Sequence, residues 1–238
     1  MARFLLIHGA SHGAWCWRDV VPALEAHGHE VIAIDLPSHG DDRTPVAEVT
    51  LDLYAKTIIR HLTTPTILVG HSMAGFPITR AAELAPEMIS RLVYVCAHTP
   101  WPGKTMSEMR FLGATQPLVA AIRVSDDGLS HTFDPDMAPD LFYQDCPPEA
   151  VAYALPRLTP QAQAPGKTVV ALTANSQDKP RSYILCRKDG AIPPDLQEQL
   201  AARFAPGEVY ELDSGHSPFF SMPGRLADLL DRIAAKTP

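Results

Sequence analysis

An α/β fold built on a mostly parallel sheet with helices on both faces follows from three observations. Short apolar runs alternate with helical periodicity along most of the chain, Ser72 sits between one such run and one such helix, and about 80 residues (98–178) interrupt the alternation. The runs place strands near 3–8, 30–35, 65–70, 91–96, 181–186 and 208–213. Helical spacing falls near 15–27, 50–62, 73–85, 194–204 and 223–235, the last with Leu226, Leu229, Leu230 and Ile233 on one face. Repeated βα units build a parallel sheet, and right-handed crossovers restrict its topology.

The strand-to-helix turn Gly70-His71-Ser72-Met73-Ala74, followed by Gly75, is the feature that points to chemistry. A serine hydroxyl is a weak nucleophile at neutral pH. A sharp turn exposes it to a base and to free backbone N–H groups, and small neighbours let that turn close. The usual pattern is G-x-S-x-G, so Ala74 adds one methyl that Gly75 behind it partly relieves. The bland alternative is a plain βα turn with a serine cap.

Acid and base partners follow Ser72 in the chain. His216, in Ser214-Gly215-His216-Ser217, comes just after the last strand, on a loop from which its ring reaches toward Ser72 as general base. Asp189 follows the strand Ser182–Cys186 and is placed to accept from the other ring nitrogen; Asp213, three residues before His216, is the competing acid. The order Ser, Asp, His is that of one serine-hydrolase architecture and not of the others. Near the N-terminus, Phe4–Ile7 runs into His8-Gly9-Ala10-Ser11-His12-Gly13-Ala14-Trp15. Loops of this H-G kind bring a backbone N–H beside the nucleophile, which makes the N–H groups of Ala10 and Met73 the candidate oxyanion hole. The same glycines also serve simply to turn the chain into the next helix.

Over nearly its whole length the chain resembles the plant-type methylesterase and hydroxynitrile lyase branch of the α/β-hydrolases and its bacterial esterase relatives. The resemblance rests on His8–Trp17, Gly28–Pro37, the Ser72 turn, Phe142–Pro148, Cys186–Pro193 and Ser214–Ser217. It implies the α/β-hydrolase fold, six strands in the order 2-1-3-4-5-6, and a small helical cap over residues 98–178 between strands four and five. The core is then 1–97 with 179–238. It also implies a cofactor-free enzyme with Ser72, Asp189 and His216 as its triad and Ala10 and Met73 as its oxyanion donors. The S-selective lyases of that branch carry a lysine after the catalytic histidine and a threonine in the first loop. This chain has Ser217 and Gly9, which favours the esterase over the lyase.

The segment 98–178 is too long for a bare connection in a compact domain. Short helical patterns broken by prolines and rich in Trp101, Met106, Phe111, Leu118, Phe142 and Tyr153 suit a lid over an apolar pocket. Ser11, Trp101, Phe111 and Phe219 are the residues expected against substrate. No lysine or arginine stands in the motif loops except Arg187 and Lys188, so selection for a carboxylate-bearing substrate is not evident.

Composition agrees with this reading. With 238 residues, 46% hydrophobic, one domain and its cap are expected; a net charge of −7 without a basic run argues against nucleic acid and anionic membranes. No apolar run is long enough for a signal peptide or a membrane span, so a cytoplasmic protein is expected. Cys16, Cys96, Cys146 and Cys186 are widely spaced, with no CxxC pair, and the ten histidines show no ligand spacing, so neither disulfide nor metal is expected. His71 has two readings, substrate contact or support of the scaffold. The expected partner is a small-molecule ester, and both a monomer and a homodimer are compatible with the sequence.

The function expected is hydrolysis of small, apolar or aromatic esters through an acyl-enzyme on Ser72. The alternatives are hydroxynitrile lyase-type C–C cleavage and a small-molecule receptor with slow turnover. Haloalkane or epoxide chemistry needs a carboxylate nucleophile at position 72 and is excluded.

Overall fold

A computed structural model describes residues 1–237. Among the described residues nine strands run in chain order as β1 (Arg3–Ile7), β2 (Glu30–Ile34), β3 (Thr66–His71), β4 (Ile89–Val95), β5 (Ile122–Val124), β6 (Ser130–Phe133), β7 (Gln161–Ala162), β8 (Arg181–Cys186) and β9 (Val209–Leu212). Six of them form one sheet in the order β2-β1-β3-β4-β8-β9, and every neighbouring pair is parallel. That is the expected order, and the sheet is parallel throughout rather than mostly so.

Parallel strands must be covered on both faces, and the residue alternation shows how. Phe4, Leu6, Ile67, Val69, Val93, Val95 and Ile184 point to one side, where they meet Trp17, Leu24, Leu226, Leu230 and Ile233. Leu5, Ile7, Leu68, Leu92, Tyr94, Tyr183 and Leu185 point to the other, against Tyr54, Ile58, Phe76, Ile78, Leu196 and Leu200. The covering helices are α1 (Val20–Ala26) and α5 (Pro223–Ala234) on the first side, with α2 (Leu51–Arg60), α3 (Gly75–Leu84) and α4 (Pro194–Ala201) on the second. Helix α2 starts where the Thr50 hydroxyl accepts the Leu53 N–H at 3.0 Å, a side-chain cap. The helix expected over 15–27 is instead a 3₁₀ turn, Ala14–Trp17, followed by α1. The expected 73–85 helix likewise begins with a 3₁₀ turn, Ser72–Ala74.

The long segment between β4 and β8 adds strands to the helical cap that was expected there. Its short helices, among them Met106–Met109, Pro117–Ala121, Ala138–Phe142 and Pro148–Ala154, are joined by a three-stranded antiparallel sheet in the order β5-β6-β7. The reason is local. Ser125-Asp126-Asp127-Gly128 turns the chain back, with Gly128 at φ +70 and the Asp127 carboxylate accepting the Leu129 N–H at 2.9 Å. That Asp-Gly pair between β-prone residues is a hairpin signal.

Candidate active site

Ser72, Asp189, His216 and Ala10 each stand just past the carboxyl end of a strand, β3, β8, β9 and β1 respectively. Ligand sites of open parallel sheets form at that edge. Ser72 has φ +54, a conformation that side-chain-bearing residues seldom hold, and the turn persists because its surroundings are close-packed. A Cβ on Gly9 would lie 2.7 Å from His71 Nδ1 and 3.0 Å from Ser72 Cβ, and one on Gly75 would lie 2.1 Å from the His98 carbonyl oxygen. Glycine is therefore what lets the first loop and the end of β4 close onto the serine. The His98 N–H also donates to the Ser72 carbonyl at 3.1 Å. Ala74 has ordinary helical angles (φ −64, ψ −11) and is fully buried.

The structure brings the three sequence-selected polar residues into one line. His216 Nε2 is 3.1 Å from Ser72 Oγ, and His216 Nδ1 is 2.8 Å from Asp189 Oδ2. With Nδ1–H donating to the carboxylate, Nε2 is left to accept the hydroxyl proton. The other carboxylate oxygen accepts the backbone N–H groups of Ala191 at 2.7 Å and Ile192 at 2.8 Å. The competing acid, Asp213, points away: it is exposed and pairs with the Lys188 ammonium at 2.7 Å.

Three supporting side chains were not singled out by sequence. Gln197, fully buried on α4, donates to Asp189 Oδ2 at 2.9 Å and to the Ile192 carbonyl at 2.7 Å, and accepts the Cys186 N–H at 3.0 Å. The Asp145 carboxylate accepts the Gly215 N–H at 2.6 Å, and Gln144 donates to the Lys188 carbonyl at 2.6 Å. These two residues tie the inserted segment to the loops of His216 and Asp189. They lie inside the Phe142–Pro148 stretch that carried part of the resemblance, which was the available signal; Gln197 had none.

His8, His12 and His71 crowd the site as neutral rings. His71 takes the scaffold role in part: its Nε2–H donates to the His216 carbonyl at 2.8 Å, with ring centroids 4.6 Å apart, yet it also lines the cavity. Burial, then the nearby His216 and His12, push its pKa well below the ordinary value. In the first loop, His8 Nδ1–H donates to the Gly9 carbonyl while Nε2 accepts the Leu36 N–H at 3.0 Å. His12 Nδ1–H donates to the Ala10 carbonyl at 2.8 Å, and Nε2 accepts the Tyr143 hydroxyl at 2.7 Å. Burial lowers His8 to about 4 and His12 to about 3. Among the described residues, His71, Cys96 and His216 offer nitrogen and sulfur atoms within 4.8 Å of one another. A metal there would have to displace the contacts of His216 to Ser72 and Asp189, and burial holds the Cys96 thiol protonated.

The cavity at Ser72 measures about 20 Å³. That is room for about one water molecule. Its walls include Ala10, Met73, His98, Met106, Arg110, Leu118, Phe133 and Phe142. The expected substrate contacts sit elsewhere. Phe111 is 63% exposed, because it follows Arg110 in one tight helical turn and only one of the two can face inward. Trp101 packs against the apolar layer on the α2–α4 side, with the Arg203 guanidinium 5.7 Å from its ring. Phe219 is fully buried behind the site, edge-on to His71 at 5.0 Å, and so supports His71 without reaching the cavity. Ser11, at φ +63, lines a separate cavity of about 230 Å³ that shares Phe133 with the first.

A strained serine, a histidine and a carboxylate at the strand ends of this sheet define the class of the serine hydrolases. The chain belongs to the alpha/beta hydrolase family, whose pattern matches residues 4–229. It is 32% identical to methylesterase 1 of Arabidopsis thaliana, over 98% of this chain and 96% of that one. Among solved structures it resembles a pyrethroid hydrolase from Sphingobium faniae JZ-2 (TM-score 0.88, 29% identity, covering 99% of this chain and 98% of that one). A methylesterase from Arabidopsis gives a TM-score of 0.83 at 26% identity, covering 99% of each chain. Within its family this protein is a carboxylic ester hydrolase. Among the described residues no helix is long and apolar enough to cross a membrane.

Proposed function

We propose that the protein is a serine carboxylesterase for small esters with an apolar body. Ser72 is the nucleophile, His216 the general base and Asp189 the residue that orients it. Ala10 and Met73 supply the oxyanion N–H donors, and residues 98–178 form the cap. The observation that carries this reading is the continuous contact Ser72 Oγ to His216 Nε2 (3.1 Å) and His216 Nδ1 to Asp189 (2.8 Å), made by a serine held at positive φ.

Ser72 Oγ attacks the ester carbon as its proton passes to His216 Nε2. The carbonyl oxygen gains charge opposite the two N–H groups, where one such donor is commonly worth about 3 kcal/mol of barrier. The C–O bond to the alcohol breaks, and the departing alkoxide takes the proton from His216. Water then attacks the acyl-enzyme with His216 again as base, releasing the acid and free Ser72. Met106, Leu118, Phe133 and Phe142 supply apolar walls. The cavity as it stands holds about 20 Å³, so an ester enters as apolar wall side chains such as Met106, Leu118 and Phe142 give way. The net charge of −7 and four free thiols suit a reducing, cytoplasmic setting and small-molecule partners, not nucleic acid.

Release of p-nitrophenol from p-nitrophenyl acetate by the unmodified protein and by Ser72→Ala tests the reading. Steady release that the variant loses is expected; equal release by both overturns it.

A further inference from the structure

Arg110 occupies the wall of the Ser72 cavity, brought there by the inserted segment in the turn Arg110–Leu112. Its Nε is wholly enclosed without a hydrogen-bond partner. Among the described residues its guanidinium meets no carboxylate, and burial alone lowers its pKa. A second cavity, of about 10 Å³, adjoins the first and shares His98, Arg110 and Leu118 with it, and no Asp or Glu lines either one. His98 also has both ring nitrogens buried and unpartnered. Burial, and then the charge of Arg110, hold it neutral, with a pKa of about 3.

Arg110 is half-buried, and withdrawing even part of a cation from water with no anion to meet it is unfavourable; structural arginines in protein interiors are ordinarily paired. A guanidinium is also a planar fork of N–H donors matched to a carboxylate. The rest of both cavities is mostly apolar or neutral, so the unpaired charge is the main discriminating feature of the site.

We propose that Arg110 determines specificity by receiving, together with neutral His98, a carboxylate carried by the ester substrate. The preferred substrate is then a half-ester. Its ester group lies at Ser72, its short apolar chain passes Met106 and Leu118, and its free carboxylate ends at Arg110. This rests on the reading of Ser72 as nucleophile and narrows the substrate class of that same site. It replaces the expectation from the motif loops, which contain no such cation: Arg187 and Lys188 are engaged at the surface by Glu198, Glu211 and Asp213.

The test measures calorimetric binding of monomethyl glutarate and dimethyl glutarate to Ser72→Ala, which cannot turn them over, alone and combined with Arg110→Gln or Arg110→Lys. Circular dichroism melting confirms that each variant folds. Monomethyl glutarate is expected to bind at least about tenfold tighter than the diester, as a charge-assisted pair provides. Arg110→Gln should bring the two within about twofold, and Arg110→Lys, which keeps the charge but not the planar fork, should keep only part of the difference. Equal affinities with Arg110 present, a preference that survives Arg110→Gln, or no binding of the monoester would each overturn the proposal. Turnover of p-nitrophenyl acetate by the unmodified protein reports separately on the esterase reading.

Discussion

Gln197 donates its side-chain N–H to Asp189 Oδ2 at 2.9 Å, the same oxygen that accepts His216 Nδ1–H at 2.8 Å. Asp189 thus accepts four hydrogen bonds, two on each oxygen, and its carboxylate cannot rotate without breaking several of them. Gln197 is in turn fixed by the Ile192 carbonyl and the Cys186 N–H.

Gln197→Met keeps the volume and removes those bonds. The Cys186 N–H is then buried without a partner, which costs about 1–3 kcal/mol. We expect a lower urea midpoint and a kcat reduced about tenfold at nearly constant KM, since the interaction lost acts on the base and not on bound ester. An unchanged kcat would show that Asp189 holds its place without Gln197.

Asp145 reaches the His216 loop from the inserted segment, accepting the Gly215 N–H at 2.6 Å. Asp145→Ala frees that loop and leaves its N–H unpaired, at a cost of about 1–2 kcal/mol, while Asp145→Asn keeps an acceptor. Steady-state kinetics should show kcat falling in Ala and largely retained in Asn. Equal loss in both would assign the effect to charge instead.

Ala74 replaces the glycine usual in this turn, and the added methyl is a candidate source of strain. It does not: Ala74 sits at helical angles with its methyl buried among apolar side chains. Ala74→Gly should therefore lower stability by about 1 kcal/mol, through backbone entropy and lost packing, with no gain in turnover. Thermal melting decides the matter, and a rise in Tm would reverse the conclusion.

Acid should destabilise the fold. Burial lowers His8 and His131 to about 4, and His12 and His98 to about 3, from an ordinary value of 6.5. The unfolded chain binds those protons first as pH falls, so their contribution is complete above about pH 6.5 and is lost progressively toward pH 4 and 3. By pH 5 the loss is about 2 kcal/mol for each group, to order of magnitude. Urea midpoints at pH 7.5 and pH 5 should differ markedly. His131→Phe should shrink the difference, because both ring nitrogens of His131 are buried without partners. A flat profile would contradict the buried, neutral assignment.

The sequence by itself determined where the strands of the main sheet run, the strand-end positions of Ser72, Asp189 and His216, and the glycines that let the chain close around them, whereas the order of the strands came only from the resemblance. Periods of 2 and 3.6, sharp turns and chain order are local properties, and a few residues in a row specify each. Tertiary structure decided what depends on distant segments meeting. Asp213 stands near His216 in sequence, yet its carboxylate is spent on Lys188 in solvent, and Asp189 takes the histidine. Gln197 supports Asp189 from a helix whose sequence reads as ordinary. In the inserted segment the choice fell between neighbours: Arg110 faces Ser72 and Phe111 faces water. Composition favours the aromatic as a pocket wall, but neighbouring residues of a helical turn diverge by about 100°, so only docking of the whole segment onto the sheet edge sets which one points inward.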